Sequence, residues 1–297
     1  MKLLGGVHGS RGRLRCAAIV CVRNEQFHLP RVLGQLIDAG IDVAIIDHGS
    51  TDDSVSICER LLGRGVVSID NLPWTGVYDQ VAQLSAKAAV AARLDHDWLV
   101  HTDADEWLHT RRAGESLLEG IERADAQGFT AVNFEEFVFL PDPVGASLYD
   151  LRRSLRYYYF APGPNRLMRA WRRDSGLDNI NSGGHVLAGE GLRLFPESFV
   201  LRHYIVASQQ HAIDKYVGRC FAQSDIDKGW HGNRLRLRPD DMRLPKPEAL
   251  CQLEDWKSTN FDFSRPKALH FWHWSEAERL RRNDLKPAAP SVSKSAA

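Results

Sequence analysis

The sequence predicts an α/β protein in which helices cover a mostly parallel β-sheet. The chain has 297 residues, of which 43% are hydrophobic, and this is enough material for one large core. Over roughly residues 15–140, short apolar runs alternate with segments whose apolar residues recur at helical spacing. Polar clusters directly follow several of these runs, and ligands of such sheets bind beyond the carboxyl ends of the strands.

The first elements are indicated by their apolar composition and by residues typical of helix starts and ends. Residues 16–22, CAAIVCV, are a continuous apolar run that predicts a buried strand. In the next segment, LPRVLGQLIDAG, Pro30 suits the first turn of a helix and Gly40 suits its end. DVAIID predicts the second strand, and Ser50 with Asp53 resembles a capping box before the second helix.

The alternation continues through three further strands. VVSID at 66–70, DWLVHTD and TAVNFEEFVFL are the third, fourth and fifth predicted strands. One helix, from Val77 to Ala91, precedes the fourth strand, and another, from Leu117 to Ala124, precedes the fifth. Strict alternation of this kind predicts parallel pairing, with the ends of strands one, two and four close together.

After Pro141 the pattern becomes irregular. RLMRAW and ESFVLRHYIV look like strands, and residues 209–222 have the spacing of an amphipathic helix. The tail is poor in large apolar residues and is predicted to be disordered. The predicted organisation is an N-terminal segment (1–14), an α/β half (15–140), a C-terminal half of the same domain (141–284) and the tail (285–297).

Composition excludes several classes of protein. Lys plus Arg and Asp plus Glu both number 38, so a formal net charge of zero argues against bulk capture of nucleic acid or of an anionic membrane. Five cysteines without a C-x-x-C pair argue against a zinc site or a disulfide framework. No apolar run approaches the about 20 residues of a membrane span. We predict a cytoplasmic protein with at most peripheral membrane contact.

The stretch HTDADEWL carries the clearest chemistry. Asp103 and Asp105 follow the fourth predicted strand, and in extended backbone they point the same way. Two such carboxylates make a hard oxygen site that suits Mg²⁺ or Mn²⁺, with phosphate oxygens as further ligands. The alternative is an acidic turn in solvent.

The ends of the first two strands are less specific. Arg23 in VRNE can pair with a phosphate or with nearby carboxylates. Asp47 ends the second strand, where Gly49 permits a tight turn, and its carboxylate can accept hydrogen bonds from a base or a ribose. The alternative for Asp52 is a helix cap.

Together these stretches resemble family 2 glycosyltransferases, which have the GT-A (Rossmann-like) fold. VRNE, IIDHGSTDDS and HTDADEWL agree with that family in order and spacing over roughly residues 15–140. The turn usually reads D-D-G-S or D-N-G-S, so His48 is a departure. The DADE core and the later GGH, RHY and GWHGNR resemble a bacterial subgroup.

The resemblance implies a donor, a cation and roles for particular residues. Such enzymes bind a nucleotide-diphosphate sugar with Mg²⁺ or Mn²⁺ and usually invert the anomeric carbon. Arg23, Glu25 and Asp47 match positions around the nucleotide. Asp103 matches the acid that faces ribose and metal, and Asp105 matches the principal metal ligand. The acceptor implied is a glycan, a lipid-linked glycan or a protein, with an expected role in bacterial polysaccharide biosynthesis.

The catalytic base and the third metal ligand stay open in the sequence. In NFEEF one glutamate should face the ligand crevice, and we favour Glu136 over Glu135, with two further acids as rivals. Family members often use a later histidine as a metal ligand. We favour His185 because two glycines precede it, and then His203. The rival bases are Asp174 and Asp178.

Basic and aromatic stretches offer further contacts. His211, Lys215 and Arg219 form a helix stripe that is either a solvated face or a contact for the diphosphate or an anionic acceptor. RLRLRP, with arginines at 234, 236 and 238, is either an exposed edge strand or a site for an acidic glycan or lipid phosphate. HFWHW at 270–274 is a sugar-stacking surface or a packed edge strand.

Three other functions share parts of the pattern. A phosphohydrolase of the haloacid dehalogenase type has its D-x-D after the first strand, and a nucleotidyltransferase usually has a Gly-rich loop there, which VRNEQFHLP lacks. A non-catalytic sugar-nucleotide-binding protein of the same fold is the other alternative.

Overall fold

The computed structural model describes residues 13–141, 156–162 and 166–280, so most of the predicted N-terminal segment and the predicted disordered tail lie outside the described residues. The strands are β1 (Cys16–Val22), β2 (Asp42–Asp47), β3 (Val66–Asn71), β4 (Trp98–Asp103), β5 (Glu106–His109), β6 (Ala131–Leu140), β7 (Tyr157–Ala161), β8 (Met168–Arg172), β9 (Phe199–His203) and β10 (Cys251–Gln252). The helices are α1 (Leu29–Asp38), α2 (Ser54–Glu59), α3 (Gln80–Arg93), α4 (Leu117–Ala126), α5 (Gln209–Tyr216), α6 (Gln223–Asp227) and α7 (Glu276–Leu280). The predicted alternation is confirmed.

One mixed sheet joins both halves of the described chain. Its strand order is β10-β7-β6-β8-β4-β1-β2-β3, and β9 pairs with both β5 and β6. β3, β2, β1 and β4 run parallel, whereas β8 is antiparallel to its neighbours β4 and β6. The predicted α/β class is therefore confirmed, and each antiparallel pair includes at least one strand from the part after residue 141, where the sequence pattern is irregular.

The parallel strands carry the polar loops to one edge of the sheet. Val22 at the end of β1 pairs with Asp47 at the end of β2, and Cys21 pairs with Asp103 at the end of β4. The three polar loops that follow these strands therefore begin side by side, as the alternation predicted.

Helices cover both faces of this parallel part. One core cluster places four buried residues of α1 against β1, β2 and α4, and these residues are Leu29, Val32, Leu33 and Leu36. On the other face, Val90 of α3 packs with Ile19, Ala44 and Ile46. Several helices are capped by side chains, and a full capping box joins Ser116 with Glu119 at the start of α4.

Two details near the polar loops differ from the prediction. β4 ends at Asp103, and a turn at residues 104 and 105 leads into β5, so the backbone is not extended through Asp105 as expected. β5 has four residues and alternates buried and half-buried side chains, a signal too short to separate from a loop. The predicted capping box of Ser50 with Asp53 is absent, because the Ser50 hydroxyl accepts from the Asn24 backbone amide.

The C-terminal half differs in three places. α5 ends at Tyr216 rather than at residue 222, because Val217 is extended and Gly218 has a φ of 72°. Residues 234–236 lie in a turn and residues 237–238 have no regular structure, so the predicted edge strand is absent there. Residues 271–273 form a 3₁₀-helix whose neighbourhood buries Phe271, Trp272 and Trp274, so HFWHW is mainly a core element.

Candidate active site

A cleft of about 900 Å³ lies beyond the carboxyl ends of β1 and β4, which is a size typical of small-molecule sites. Both halves of the chain line it, and α5 closes one side. The predicted residues that line the cleft are Arg23, Glu25, Asp103, Asp105, Glu136, His185, His203, His211, Lys215, Arg219 and Arg234. Asp47, Asp174 and Asp178 are not among its lining residues.

Hydrogen bonds join the loops that follow β1 and β2. Asn24 has a φ of 55°, and its side-chain oxygen accepts from the Thr51 backbone amide at 2.7 Å. The amides of Asn24 and Glu25 donate to the hydroxyls of Ser50 and Ser54 at 3.0 and 2.9 Å. These polar residues therefore hold Glu25 in place at the edge of the cleft.

Asp47 organises its own turn. Its carboxylate oxygens accept from the amides of Gly49 and Ser50, each at 3.1 Å. Gly49 has a φ of 68°, and a Cβ there would lie 2.7 Å from the Cβ of Trp74, so this turn needs glycine. The predicted contact of Asp47 with a nucleotide stays a prediction, because its visible partners are backbone amides.

Arg23 lies over the ring of Trp74 at the same end of the cleft. Its guanidinium carbon is 3.6 Å from the centre of the Trp74 ring. It also donates to the carbonyl oxygens of His48 at 2.9 Å and of Gly49. Burial lowers the pKa of His48, and the side-chain amide nitrogen of Gln83 donates a hydrogen bond to His48 Nδ1 at 3.0 Å. His48, the departure from the usual turn, is thus a packed residue behind Arg23.

The two acids of the D-x-D element have different cationic partners. Asp103, whose side chain is 47% exposed, has its oxygens 3.4 Å from Lys87 Nζ and 4.0 Å from a guanidinium nitrogen of Arg169. Burial would raise the pKa of Asp103, but these two cations hold it below its usual value. The repulsion expected between neighbouring acids is therefore offset by side chains.

A buried ion pair lies behind Asp103. A guanidinium nitrogen of Arg169 is 2.5 Å from Glu106 Oε1, and both side chains are at most 5% exposed. The other oxygen of Glu106 accepts from the Thr102 hydroxyl at 3.2 Å and from the Asp103 amide at 3.0 Å. Burial raises the pKa of Glu106 although Arg169 opposes the effect. This pair fixes the backbone on which Asp103 stands.

Asp105 lies in a chain of alternating charges that we call the ion-pair chain, formed by Glu25, Lys215, Asp105, His203, Glu136 and Arg166. Lys215 Nζ is 2.8 Å from Asp105 Oδ2 and 3.2 Å from Glu25 Oε1. His203 Nε2 is 3.5 Å from the same Asp105 oxygen, and its Nδ1 is 2.7 Å from Glu136 Oε1. Arg166 completes the chain at 2.8 Å from Glu136 Oε2.

The ion-pair chain shifts the pKa values of its members. Burial would raise the pKa of Asp105, but Lys215 and His203 hold it well below its usual value. Burial would likewise lower the pKa of His203, but Asp105 and Glu136 hold it well above. Burial raises the pKa of Glu25 to about 7 despite Lys215. His203 is therefore an imidazolium near neutral pH, and Asp105 is fully ionised.

Two carboxylates that suit a divalent cation line the cleft, but one of them is already paired with a lysine. Asp103 and Asp105 line the same cleft and supply hard oxygen atoms. In residues 13–141, 156–162 and 166–280, no three His, Cys, Asp or Glu side chains are placed to hold a metal ion together. The ammonium of Lys215 instead lies against Asp105. These two carboxylates are a partial donor set of the kind that suits Mg²⁺ or Mn²⁺, and one of them is paired with Lys215.

The histidine and base predictions separate in the structure. His203, our second choice, contacts Asp105. Among the described residues, the side chain of His185 forms no hydrogen bond or ion pair with Asp103 or Asp105. Burial and Arg169 lower the pKa of His185 to about 4. Glu136 faces the cleft, as expected from the alternation of β6, while Glu135 pairs with Arg111. Of the rival bases, Asp174 pairs with Arg172 away from the cleft, and the carboxylate of Asp178 accepts a hydrogen bond from the Ile180 backbone amide.

Two cleft arginines face aromatic rings. The guanidinium carbons of Arg219 and Arg234 each lie 5.5 Å from the centre of the Tyr216 ring. Within the described residues neither of them forms an ion pair, unlike Arg166 and Arg169. Their charge is therefore available to an anionic group that enters the cleft.

Several site residues escaped the sequence analysis. Lys87 occupies the buried face of α3 between Leu84 and Val90, and a charge inside an apolar stripe was a usable signal. Arg169 is a charged residue within the short apolar strand RLMRAW, which was a similar signal. Trp74 lies in a loop without periodicity, so nothing in the sequence indicated its contact with Arg23.

Comparisons with known proteins agree with the motifs. The family model described as glycosyl transferase family 2 matches residues 17–175, more than half of the chain. An uncharacterised glycosyltransferase of Rickettsia conorii is 29% identical over 94 residues, which are 32% of this chain and 30% of the relative. One from Rickettsia typhi is 27% identical over 94 residues, or 32% of this chain and 29% of that protein. The chain thus matches about a third of the length of these relatives.

Solved structures show a distant similarity. Residues 1–349 of TarS from S. aureus align with a TM-score of 0.40 and 11% identity, covering 66% of this chain and 61% of that chain. TarS has also been solved with UDP-GlcNAc, and that structure aligns with a TM-score of 0.39 and 10% identity over 64% of this chain and 58% of the other.

The described helices are short. The longest, α3, has 14 residues, and none of those described is long and apolar enough to cross a bilayer.

Proposed function

The chain belongs to glycosyl transferase family 2, and from this membership we propose that it transfers a sugar from a nucleotide-diphosphate sugar to a hydroxyl group of an acceptor. The observation that supports the proposal most is the position of Asp103 and Asp105, which line a cleft at the carboxyl ends of parallel strands among cationic side chains. The narrower DADE subgroup stays a prediction.

The donor would lie along the loops after β1 and β2. We assign its nucleoside to the surface of Arg23, Trp74 and Glu25, with Asp47 supporting the turn from behind. Of the two D-x-D acids, Asp103 has the more exposed carboxylate, and it would accept a hydrogen bond from a ribose hydroxyl. Lys215 would contact the diphosphate, whose negative charge suits a cationic wall.

Asp103 and Asp105 would hold Mg²⁺ or Mn²⁺, with diphosphate oxygens as further ligands. When bound, the cation would offset the negative charge that develops on the leaving diphosphate. His203 would orient Asp105 through their contact and replaces His185 as the favoured histidine of this group. Arg169 and Lys87 keep Asp103 ionised without blocking its exposed side.

Glu136 is the proposed base of an inverting reaction. Of the four acids considered for this role, Glu135, Glu136, Asp174 and Asp178, Glu136 alone is among the lining residues of the cleft. The acceptor oxygen would bond to the anomeric carbon, the bond from that carbon to the diphosphate oxygen would break, and the hydroxyl proton would pass to Glu136. Arg166 contacts Glu136 Oε2, so the Arg166 side chain must move away before that oxygen can accept the proton of the acceptor hydroxyl. Its side chain is partly exposed and can move.

Replacing Glu136 with Gln tests this assignment. We expect kcat to fall by about 10²–10⁴-fold, the usual contribution of a general base, while the affinity for nucleoside diphosphate stays within about twofold of wild type. If Glu136 only anchors His203, the substitution will instead weaken binding of nucleotide and cation and spare kcat. The matched control is Glu135→Gln on the opposite face of β6, where Glu135 pairs with Arg111.

The acceptor is proposed only by class. A glycan, a lipid-linked glycan or a protein would enter beside Arg219 and Arg234, whose charges favour an acceptor with an anionic group. A cytoplasmic location, peripheral membrane contact and a role in polysaccharide biosynthesis accompany this proposal as predictions from the family.

A donor panel tests the proposed function. The protein is incubated with UDP-, GDP- and dTDP-sugars and Mn²⁺, and released products are measured. Slow release of nucleoside diphosphate from one donor, even to water, supports a glycosyltransferase. Release of a nucleoside monophosphate together with sugar 1-phosphate would instead indicate the phosphohydrolase alternative. Formation of a nucleoside triphosphate and sugar 1-phosphate when pyrophosphate is added would indicate the nucleotidyltransferase alternative. Tight binding without turnover by any route would indicate a binding protein.

A further inference from the structure

Lys215 lies against Asp105, one of the two acids proposed to hold the divalent cation. It lies in the last turn of α5, whose first turn is fixed by Ser208 accepting from the His211 amide. Its ammonium touches Asp105 Oδ2 and Glu25 Oε1 at 2.8 and 3.2 Å, and its side chain is only 12% exposed. This is the closest recorded contact of a cation with the D-x-D acids among the described residues.

We propose that Lys215 is an exchangeable counter-ion: in the free protein its ammonium takes the cation position at Asp105, and the diphosphate of the donor draws it away and frees Asp105 for the divalent cation. This inference rests on the proposed function. It assigns to Lys215 a role in the order of binding, beyond a contact with the diphosphate.

The Lys215 ammonium and a divalent cation compete for Asp105, because their positive charges would lie too close together. Mg²⁺ lies about 2.0–2.1 Å from its carboxylate oxygens, and Lys215 already lies 2.8 Å from Asp105 Oδ2. Sharing that oxygen would place charges of +1 and +2 a few ångströms apart in a site where burial strengthens their repulsion. The free protein should therefore bind Mn²⁺ weakly.

The donor changes this balance. Its diphosphate brings several negative charges into the cleft that Lys215 lines, so the ammonium can leave Asp105 without losing an anionic partner. A lysine suits the exchange because its charge sits on a flexible four-carbon stem. The diphosphate also supplies further oxygen ligands for the cation. Cation and nucleotide should therefore bind cooperatively, and Lys215 should be one source of that coupling.

The test measures Mn²⁺ binding to the free protein by the loss of the spin-resonance signal of free Mn²⁺. We expect Lys215→Met to bind Mn²⁺ at least about tenfold more tightly than wild type without any nucleotide, because the competing charge is gone. Lys215→Arg keeps the charge and should bind as weakly as wild type. Lys257→Met removes an exposed lysine outside the cleft and should change nothing. Circular dichroism checks folding, and Lys215→Gln replaces the Met variant if that one does not fold.

Equal or weaker Mn²⁺ binding by the folded Lys215→Met protein would overturn the inference. A second readout is the gain in Mn²⁺ affinity when UDP or GDP is added, which should be larger in wild type than in Lys215→Met. If neither nucleotide binds any of the proteins, the proposed function fails. The comparison of Mn²⁺ affinities without nucleotide still decides the role of Lys215.

Discussion

Asp105→Asn is expected to lower kcat/KM for sugar transfer by about 10²–10³-fold, the cost of losing a preorganised charge at the reacting group. The substitution keeps the shape of the side chain but removes the negative charge that faces Lys215 and His203. The asparagine would no longer hold a hard cation well, and the orientation of His203 would rest on Glu136 alone. The release of nucleoside diphosphate from the donor measures the effect.

The control for this variant is Asp95→Asn. Asp95 is 76% exposed and pairs with Arg15 far from the cleft, and such surface pairs contribute little. We expect its activity to match wild type. Thermal unfolding of both variants separates lost function from lost structure. If folded Asp105→Asn keeps wild-type activity, Asp105 has no part in catalysis and the D-x-D assignment is wrong.

The second large effect concerns stability. Arg169→Met should lower the free energy of unfolding by about 3–5 kcal/mol, the cost of breaking a buried ion pair by removing one partner. Glu106, in a site that is 2% exposed, would then carry an uncompensated charge or have to take up a proton, and both cost stability. Its remaining hydrogen-bond partners among the described residues would be the Thr102 hydroxyl and the Asp103 amide. Urea unfolding followed by circular dichroism measures the loss.

A double-mutant cycle identifies the cause. Adding Glu106→Gln to Arg169→Met removes the uncompensated charge, so the double variant should recover part of the lost stability. Arg172→Met on the same strand is the control, because Arg172 is 30% exposed and should contribute about 1 kcal/mol or less. A double variant no more stable than Arg169→Met would show that packing, and not the buried charge of Glu106, determines the loss.

The alternating half of the fold could be predicted because each element carries a local signal. β1 and β4 are uninterrupted apolar runs, and α1 has both its Pro30 and its apolar stripe. The acids after β4 could be placed at the cleft because parallel strands must end at one edge. The second half lacked such signals, since β8, β9 and β10 are short and pair with strands distant in sequence.

The candidate site was predictable in its acids but not in their partners. Asp103, Asp105 and Glu136 follow from motif and alternation, and all three line the cleft. Which histidine approaches Asp105 depends on β9 pairing with β5, which places His203 opposite Glu106. Lys215 reaches Asp105 from a helix 110 positions further along the chain. No local pattern fixes such distances, so the ion-pair chain could only be seen in the structure.

The central claim is that Asp103 and Asp105 belong to a binding site for a nucleoside diphosphate. Calorimetric titration of UDP and GDP into the protein, with and without Mn²⁺, tests it most directly, and Asp105→Asn is titrated in parallel. The account predicts that one nucleotide binds wild type with Mn²⁺ and binds at least about tenfold more weakly either without the cation or to the variant. If neither nucleotide binds under any condition, or if the variant binds as wild type does, the claim is contradicted.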